Sequence, residues 1–184
     1  MDMPEEMKQF KITLVGNTQV GKTHLCSRLV LGKLPKVIIP TIGVEFAQKK
    51  YQLSNNQQIN LQIWDTSGQE RYKQISLPHL KKAKGIYLVY DITKKATFDQ
   101  LEEWLDNIRQ IADPDVTIMI IGNKLDKVIN NDELREVQLE QVKRFADLHK
   151  LTFMEISVYS DEDVEKCLTK MVEEICNSSQ VYSK

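Results

Sequence analysis

Near the start of the chain, Gly16-Asn17-Thr18-Gln19-Val20-Gly21-Lys22-Thr23 has the spacing of a phosphate cradle: a glycine, four free positions, then Gly-Lys-Thr. Backbone N–H groups of such a loop can wrap phosphate oxygens, and a lysine at Lys22 can reach the outer ones. The hydroxyl of Thr23 is a hard oxygen donor suited to Mg²⁺. In a second stretch, Leu61-Gln62-Ile63-Trp64-Asp65-Thr66-Ser67-Gly68-Gln69-Glu70, Asp65 places a carboxylate at the end of an apolar segment. There it can hold Mg²⁺ directly or through water. Gly68 has no side chain to keep its N–H from a terminal phosphate, and Gln69 has donor and acceptor on one amide, which suits orienting a water. A third stretch is Asn123-Lys124-Leu125-Asp126. An aspartate can accept from both the exocyclic amine and the ring N–H of guanine, a donor pair that adenine lacks. Polar sites of this kind discriminate by about 10⁴–10⁵. A lone Asp is more often a cap, and an Asn-Lys-x-Asp tetrad alone is more often a surface turn; their order and spacing behind the glycine loop point to one site.

The elements that must position these residues alternate in type. Phe10–Val15 reads as a strand and 22–31 as a helix, so the cradle sits where a helix dipole faces an anion. The segment 32–40 holds two prolines and reads as a loop. Val44–Leu53 and Ile59–Trp64 read as strands joined by the turn residues Ser54-Asn55-Asn56-Gln57, an antiparallel hairpin. Gly85–Tyr90 and Val116–Ile121 are nearly continuous apolar runs, as in strands buried on both faces. Thr97–Ala112, Asp132–Leu148 and Asp161–Cys176 carry apolar residues at helical spacing, and Leu151–Ile156 reads as a last strand. Strands alternating with helices predict a three-layer α/β sheet with ligands at the strands' carboxyl ends, where all three motifs fall.

Composition narrows the choices. The chain has 184 residues, 41% hydrophobic and 28% charged, which suits one globular domain with a sizeable core. A net charge of -1 gives no electrostatic footprint for nucleic acid. No apolar run is long enough to span a membrane, and the acidic start Met1-Asp2-Met3-Pro4-Glu5-Glu6 resembles neither a secretory signal nor a myristoylation site. The three cysteines, Cys26, Cys167 and Cys176, have no CxxC spacing and suit a reducing cytosol. His24, His79 and His149 are too scattered to ligate one metal, and Lys81, Lys82 and Lys84 read as a solvated basic face.

With these motifs in place, the chain resembles the Ras-like small GTPases, and among them the Rab branch, over about residues 8–176. The resemblance rests on the glycine loop, on Thr41-Ile42-Gly43-Val44-Glu45-Phe46, on Trp64 to Tyr72, on Leu88-Val89-Tyr90-Asp91-Ile92-Thr93 and on Asn123 to Asp126. It implies the P-loop NTPase (small G-protein) fold, a six-stranded, mostly parallel sheet with one antiparallel hairpin and five helices. Residues 1–7 would be an N-terminal tail and 177–184 the start of a truncated C-terminal variable region. The implied activity is GTP hydrolysis in a GTP/GDP switch for membrane traffic. Gly16, Thr18, Gln19, Val20, Gly21, Lys22, Thr23 and His24 would line the phosphates. Thr23, Thr41 and Asp65 would hold Mg²⁺, with Thr41 engaged only in the GTP state. Gly68 would meet the γ-phosphate and Gln69 would position water. Asn123, Lys124 and Asp126 would hold guanine, with Leu34, Ser157, Val158 and Tyr159 around it. Exchange factor, GTPase-activating protein and effectors would bind a monomer through 33–46 and 64–80. The protein would be cytoplasmic, peripheral on endomembranes if a native C-terminus were prenylated.

The sequence also departs from the family pattern. Gln19 puts a long side chain where a small residue is common, and Ser67 replaces alanine. Leu34 stands for an aromatic, Tyr159 for lysine, and His79-Leu80-Lys81-Lys82-Ala83 for Tyr-Tyr-Arg-Gly-Ala. These keep an alternative open: a nucleotide-bound Rab-like protein with little turnover, acting as a binding module.

Overall fold

The computed structural model describes residues 8–36, 41–68 and 77–181. Its six strands are β1 (Gln9–Val15), β2 (Val44–Gln52), β3 (Gln58–Thr66), β4 (Gly85–Asp91), β5 (Thr117–Asn123) and β6 (Thr152–Ile156). They form one sheet in the order β2-β3-β1-β4-β5-β6. Only β2 and β3 run antiparallel, with Phe46 opposite Trp64; the other pairs are parallel. The order reverses between β1 and β4, and that is where an open parallel sheet leaves a crevice for a ligand.

The helices among the described residues are α1 (Lys22–Leu31), α2 (Lys95–Asp99), α3 (Leu101–Ile111), α4 (Leu125–Ile129), α5 (Leu139–His149) and α6 (Asp161–Val181). Gln100, between α2 and α3, stays in the helical region of backbone space. Those two segments therefore make one bent rod, and the described residues contain five helical rods. The described residues also contain two 3₁₀ turns, Leu77–Leu80 and Asp132–Leu134.

Two apolar cores hold the layers together. On one face Ile12, Leu14, Ile63 and Tyr87 pack with Leu25 and Leu29 of α1 and Met171 and Ile175 of α6. On the other, Ile86, Leu88 and Ile120 pack with Leu105 and Ile108 of α3 and Val142 and Ala146 of α5. All seven residues of β4 are buried, as its unbroken apolar run requires. Gly85 lets α6 close on the sheet: a Cβ there would lie 2.6 Å from Met171 Sδ.

Most boundaries fall within two residues of the sequence reading, and two helix boundaries differ by more. The helix expected over Asp132–Leu148 is a 3₁₀ turn, an extended link and then α5 from Leu139. The link is held by the Ile92 carbonyl, which accepts from the N–H groups of both Glu136 and Val137 at 3.1 Å, while Val137 is fully buried. Arg135 grips Glu155 through two bonds of 2.7 and 2.8 Å, and a Gln138–Gln141 capping box then starts α5. The last helix continues past Cys176 to Val181.

Leu88 is fully buried in the second core. Leu88→Ala should therefore lower unfolding free energy by about 2–5 kcal/mol, read from urea denaturation.

Candidate functional site

The glycine loop is shaped by what surrounds it. Gly16 has φ +135, and a Cβ there would lie 2.1 Å from the Val89 carbonyl oxygen, so β4 leaves room only for glycine. Gly21, at φ +99, caps the N-terminus of α1 in the left-handed region. Val20 is buried in the core and anchors the loop from beneath. Lys22 is only 5% exposed. Its ammonium donates to Gly16 O at 2.9 Å and Asn17 O at 2.7 Å, so the loop closes around the lysine. Burial pulls its pKa down to about 8, and the nearby Asp65 carboxylate opposes that shift. Burial lowers the His24 pKa too, helped by the charge of Lys124.

Gln19 answers a question raised by the sequence. Its φ is +63, and its side chain is exposed, with Oε1 3.5 Å from Lys94 Nζ. The long side chain reaches Lys94, just before α2, while Gln19 itself lines the cavity. Its cost is a left-handed backbone that glycine adopts freely.

Beside the lysine, three oxygens converge. Thr23 Oγ1 donates to Asp65 Oδ2 at 2.7 Å, Thr41 Oγ1 donates to the same oxygen at 2.9 Å, and the two hydroxyls are 3.0 Å apart. Asp65 is 2% exposed, and its Oδ1 is buried without a hydrogen-bond partner. Burial raises the Asp65 pKa against the pull of both hydroxyls and of Lys22. An all-oxygen cluster with an unpartnered carboxylate oxygen is a donor set for a hard divalent cation. Among the described residues no group of three or more His, Cys, Asp or Glu side chains gathers to bind a metal. A cation here would therefore lean on hydroxyls and on its ligand's own oxygens. Gly68 lies against the loop, where a Cβ would sit 2.3 Å from Asn17 C and 2.4 Å from Thr18 N. Ser67 is buried, and its N–H donates to Gly43 O at 2.9 Å. Gln69 lies outside the described residues.

The third motif forms the opposite end. Asn123 Nδ2 donates to Val20 O at 2.8 Å, tying β5 to the glycine loop. Lys124, at φ +71, donates to Gln19 O at 2.8 Å and to Asp91 Oδ2 at 2.6 Å. Asp126 accepts from Ser157 Oγ at 2.8 Å; that hydroxyl also accepts from the Tyr159 N–H at 3.1 Å, while Asp163 accepts from the Ser157 N–H at 2.9 Å. The loop after β6 thus fixes the orientation of the Asp126 carboxylate.

These parts enclose one cavity of about 540 Å³. Its walls include Thr18, Gln19, Gly21, Lys22, Thr23 and His24 at one end and Asn123, Lys124, Asp126, Val158 and Tyr159 at the other, with Thr41 and Gly68 along the side. Gly16, Val20, Asp65 and Ser157 stand behind the walls and hold them. Leu34 is not part of the wall; it packs against the core under α1. Sequence reasoning overlooked three contributors. Thr66 lines the cavity and donates to Leu14 O at 2.6 Å, Lys127 lines it beside Asp126, and Asp91 holds Lys124. The Asp91 pKa is depressed because bonds from Lys124 and Thr93 outweigh its burial. A lone Asp after an apolar strand gave no sign of a partner 33 positions away.

The chain matches the Ras family over residues 11–177. It is 41% identical over 166 residues to Ras-related protein YPTC6 of Chlamydomonas reinhardtii, covering 90% of this chain and 74% of that protein. It is 40% identical to Ras-related protein Rab-11A of Dictyostelium discoideum, with coverages of 90% and 75%. With Ras-related protein rab-11.1 of Caenorhabditis elegans it shares 38% identity over 169 residues, with coverages of 92% and 78%. The fold, the cavity and these similarities define a nucleotide switch of the small GTPase class. The chain belongs to the Ras-like small GTPases, in the Rab family, whose members hydrolyse GTP and regulate vesicle traffic.

Gln19→Gly should relieve the left-handed backbone and stabilise the fold by up to about 1 kcal/mol. For a chain of this size that raises the melting temperature by about 2–4 °C, measurable by differential scanning calorimetry.

Proposed function

We propose that the cavity takes a guanine nucleotide lengthwise, phosphates on the loop from Gly16 to His24 and base against Asn123, Lys124 and Asp126. The observation that carries this reading is the orientation of Asp126. Ser157 satisfies one carboxylate lobe and leaves the group fixed at the end of the cavity away from Thr23 and Thr41. Two adjacent N–H donors on the purine would pair with that carboxylate. Adenine would leave it desolvated and unpaired, the situation that costs most in binding.

Lys22 would exchange its two carbonyl partners for phosphate oxygens, which restore the charge that burial disfavours. Thr23, Thr41 and Asp65 would hold Mg²⁺, which when bound neutralises phosphate charge. Loss of the γ-phosphate would release Thr41 and its segment, the order change on which such switches depend. Gln69 would orient the attacking water. Intrinsic turnover would be slow, on the order of 10⁻⁴ per second, and an arginine supplied by a partner would accelerate it by about 10⁵. Because the Gln19 side chain is exposed and reaches Lys94, we favour turnover over a locked, non-hydrolysing state.

Residues 33–46 and 64–80 would be read by an exchange factor, a GTPase-activating protein and effectors. No helix of the described residues is long and apolar enough to cross a membrane. Attachment to an endomembrane would use a lipid if the native C-terminus carried a prenylated cysteine.

Asp126→Asn should weaken GTP binding by at least 100-fold and favour xanthosine triphosphate, whose second carbonyl would accept from the new amide. Competition against a fluorescent nucleotide measures this, and unchanged GTP preference would remove Asp126 from the base site. In single-turnover assays of γ-phosphate release, Gln69→Leu should slow hydrolysis at least tenfold while leaving GTP affinity nearly unchanged.

A further inference from the structure

The phosphate loop is held from the side as well as from beneath. Trp104 of α3 is only 5% exposed and belongs to the second core, with Leu101, Leu105 and Ile108 of the same helix. Its indole N–H donates to Asn17 Oδ1 at 3.0 Å. An indole nitrogen can only donate, so this bond fixes which way the Asn17 amide faces. The other end of that amide, Nδ2, donates to Gln100 Oε1. Gln100 is the residue at which α2 passes into α3, and it is exposed. Both ends of one loop amide are thus engaged by a helix anchored in the core.

Asn17 is where three parts of the site meet. Its side chain is clasped by α3. Its carbonyl accepts from Lys22 Nζ at 2.7 Å. Its backbone is the surface on which Gly68 rests, with Asn17 C 2.3 Å from a Cβ added there. The loop around it is tightly bent: Gly16, Gln19 and Gly21 all have positive φ. A residue such as Gln19 keeps a left-handed backbone only where its surroundings hold it. A loop held in its working shape also lowers the ordering cost that a ligand must meet.

We propose that Trp104 and Gln100 are positioning residues: acting through the Asn17 amide, they hold the phosphate loop in shape and set how slowly a bound guanine nucleotide leaves. The inference rests on the nucleotide reading of the cavity. It adds residues that sequence motifs do not mark, since neither Trp104, Gln100 nor Asn17 lines the cavity wall. A displacement of α3 at Trp104 is passed to the loop through one side chain, and from there to the carbonyl that Lys22 holds.

Release of fluorescent GDP from the Mg²⁺-loaded protein tests this in a double-mutant cycle. Trp104→Phe keeps a ring in the second core but has no N–H to donate. Asn17→Ala removes the acceptor. Each should speed release about tenfold, and the double variant should release no faster than Asn17→Ala alone, because both changes break the same bond. Gln100→Ala alters an exposed side chain outside the core and should speed release about threefold, which keeps the test open if Trp104→Phe fails to fold. Hydrogen exchange of the Trp104 indole N–H, followed by NMR, should be at least tenfold slower in the parent than in Asn17→Ala. A purely structural Trp104 would lower the melting temperature of Trp104→Phe and leave release as it was. Unchanged release in Trp104→Phe or Gln100→Ala, additive effects in the double variant, or equal indole exchange with and without Asn17 would overturn the proposal. Normal GDP uptake with unchanged release in the variants removes this inference alone, whereas a parent protein that takes up no GDP brings down the nucleotide reading and this inference with it.

Discussion

A buried ammonium sets the terms for the whole site. Lys22 has given up nearly all contact with water and receives in return two carbonyl oxygens of its own loop. Neutral carbonyls repay only part of the desolvation of a charge, which is why its pKa is drawn down to about 8. Close enough to feel its charge, Asp65 is in the complementary position: desolvated, raised in pKa, with one oxygen unpartnered. Such a pair is poised for a ligand that is anionic and carries its own cation. In the proposed reading, a phosphate–metal unit would satisfy both, and a site already ordered by folding costs less to bind.

The scaffold maintains that poise by local close packing. Gly16 presses on β4, Gly68 presses on the backbone of Asn17 and Thr18, and the Gly21 position abuts the Asn123 side chain, whose Nδ2 would lie 2.2 Å from an added Cβ. The cradle therefore touches the segment after β3 at one point and the end of β5 at another. Asn123 and Lys124 bond directly to the carbonyls of Val20 and Gln19, so the two ends of the cavity form one hydrogen-bonded unit. Trp104 of α3 adds a lateral anchor, its Nε1–H donating to Asn17 Oδ1 at 3.0 Å. Thr41 is held at the site through its hydroxyl, by Asp65 Oδ2 at 2.9 Å and Thr23 Oγ1 at 3.0 Å, contacts that a ligand could exchange.

Much of this was readable from the chain because the chemistry is local. The glycine loop, the segment following β3 and the Asn-Lys-x-Asp stretch each act through residues within a few positions of one another. The buried strands β4 and β5 announced themselves as apolar runs. What escaped depended on distant partners. Periodicity over Asp132–Leu148 looked helical, yet the Ile92 carbonyl captures two N–H groups and keeps the link extended. The direction of the Gln19 side chain follows from a left-handed backbone that no residue type near it prescribes. Asp91 gained its role from a lysine on the neighbouring strand's exit, and Leu34 was drawn to the core instead of the cavity. Sequence reveals the ligand-facing atoms better than the atoms that hold them.

The central claim is that a magnesium nucleotide bridges Lys22 and Asp126, and equilibrium titration of nucleotide-stripped, folded protein with labelled GDP is the most direct measurement. The account predicts saturable one-to-one binding in the presence of Mg²⁺, displaced by unlabelled GTP and untouched by ATP at about a 10⁴-fold excess. Displacement by ATP at concentrations comparable to GTP, or no uptake of GDP by protein that retains its fold, would contradict it.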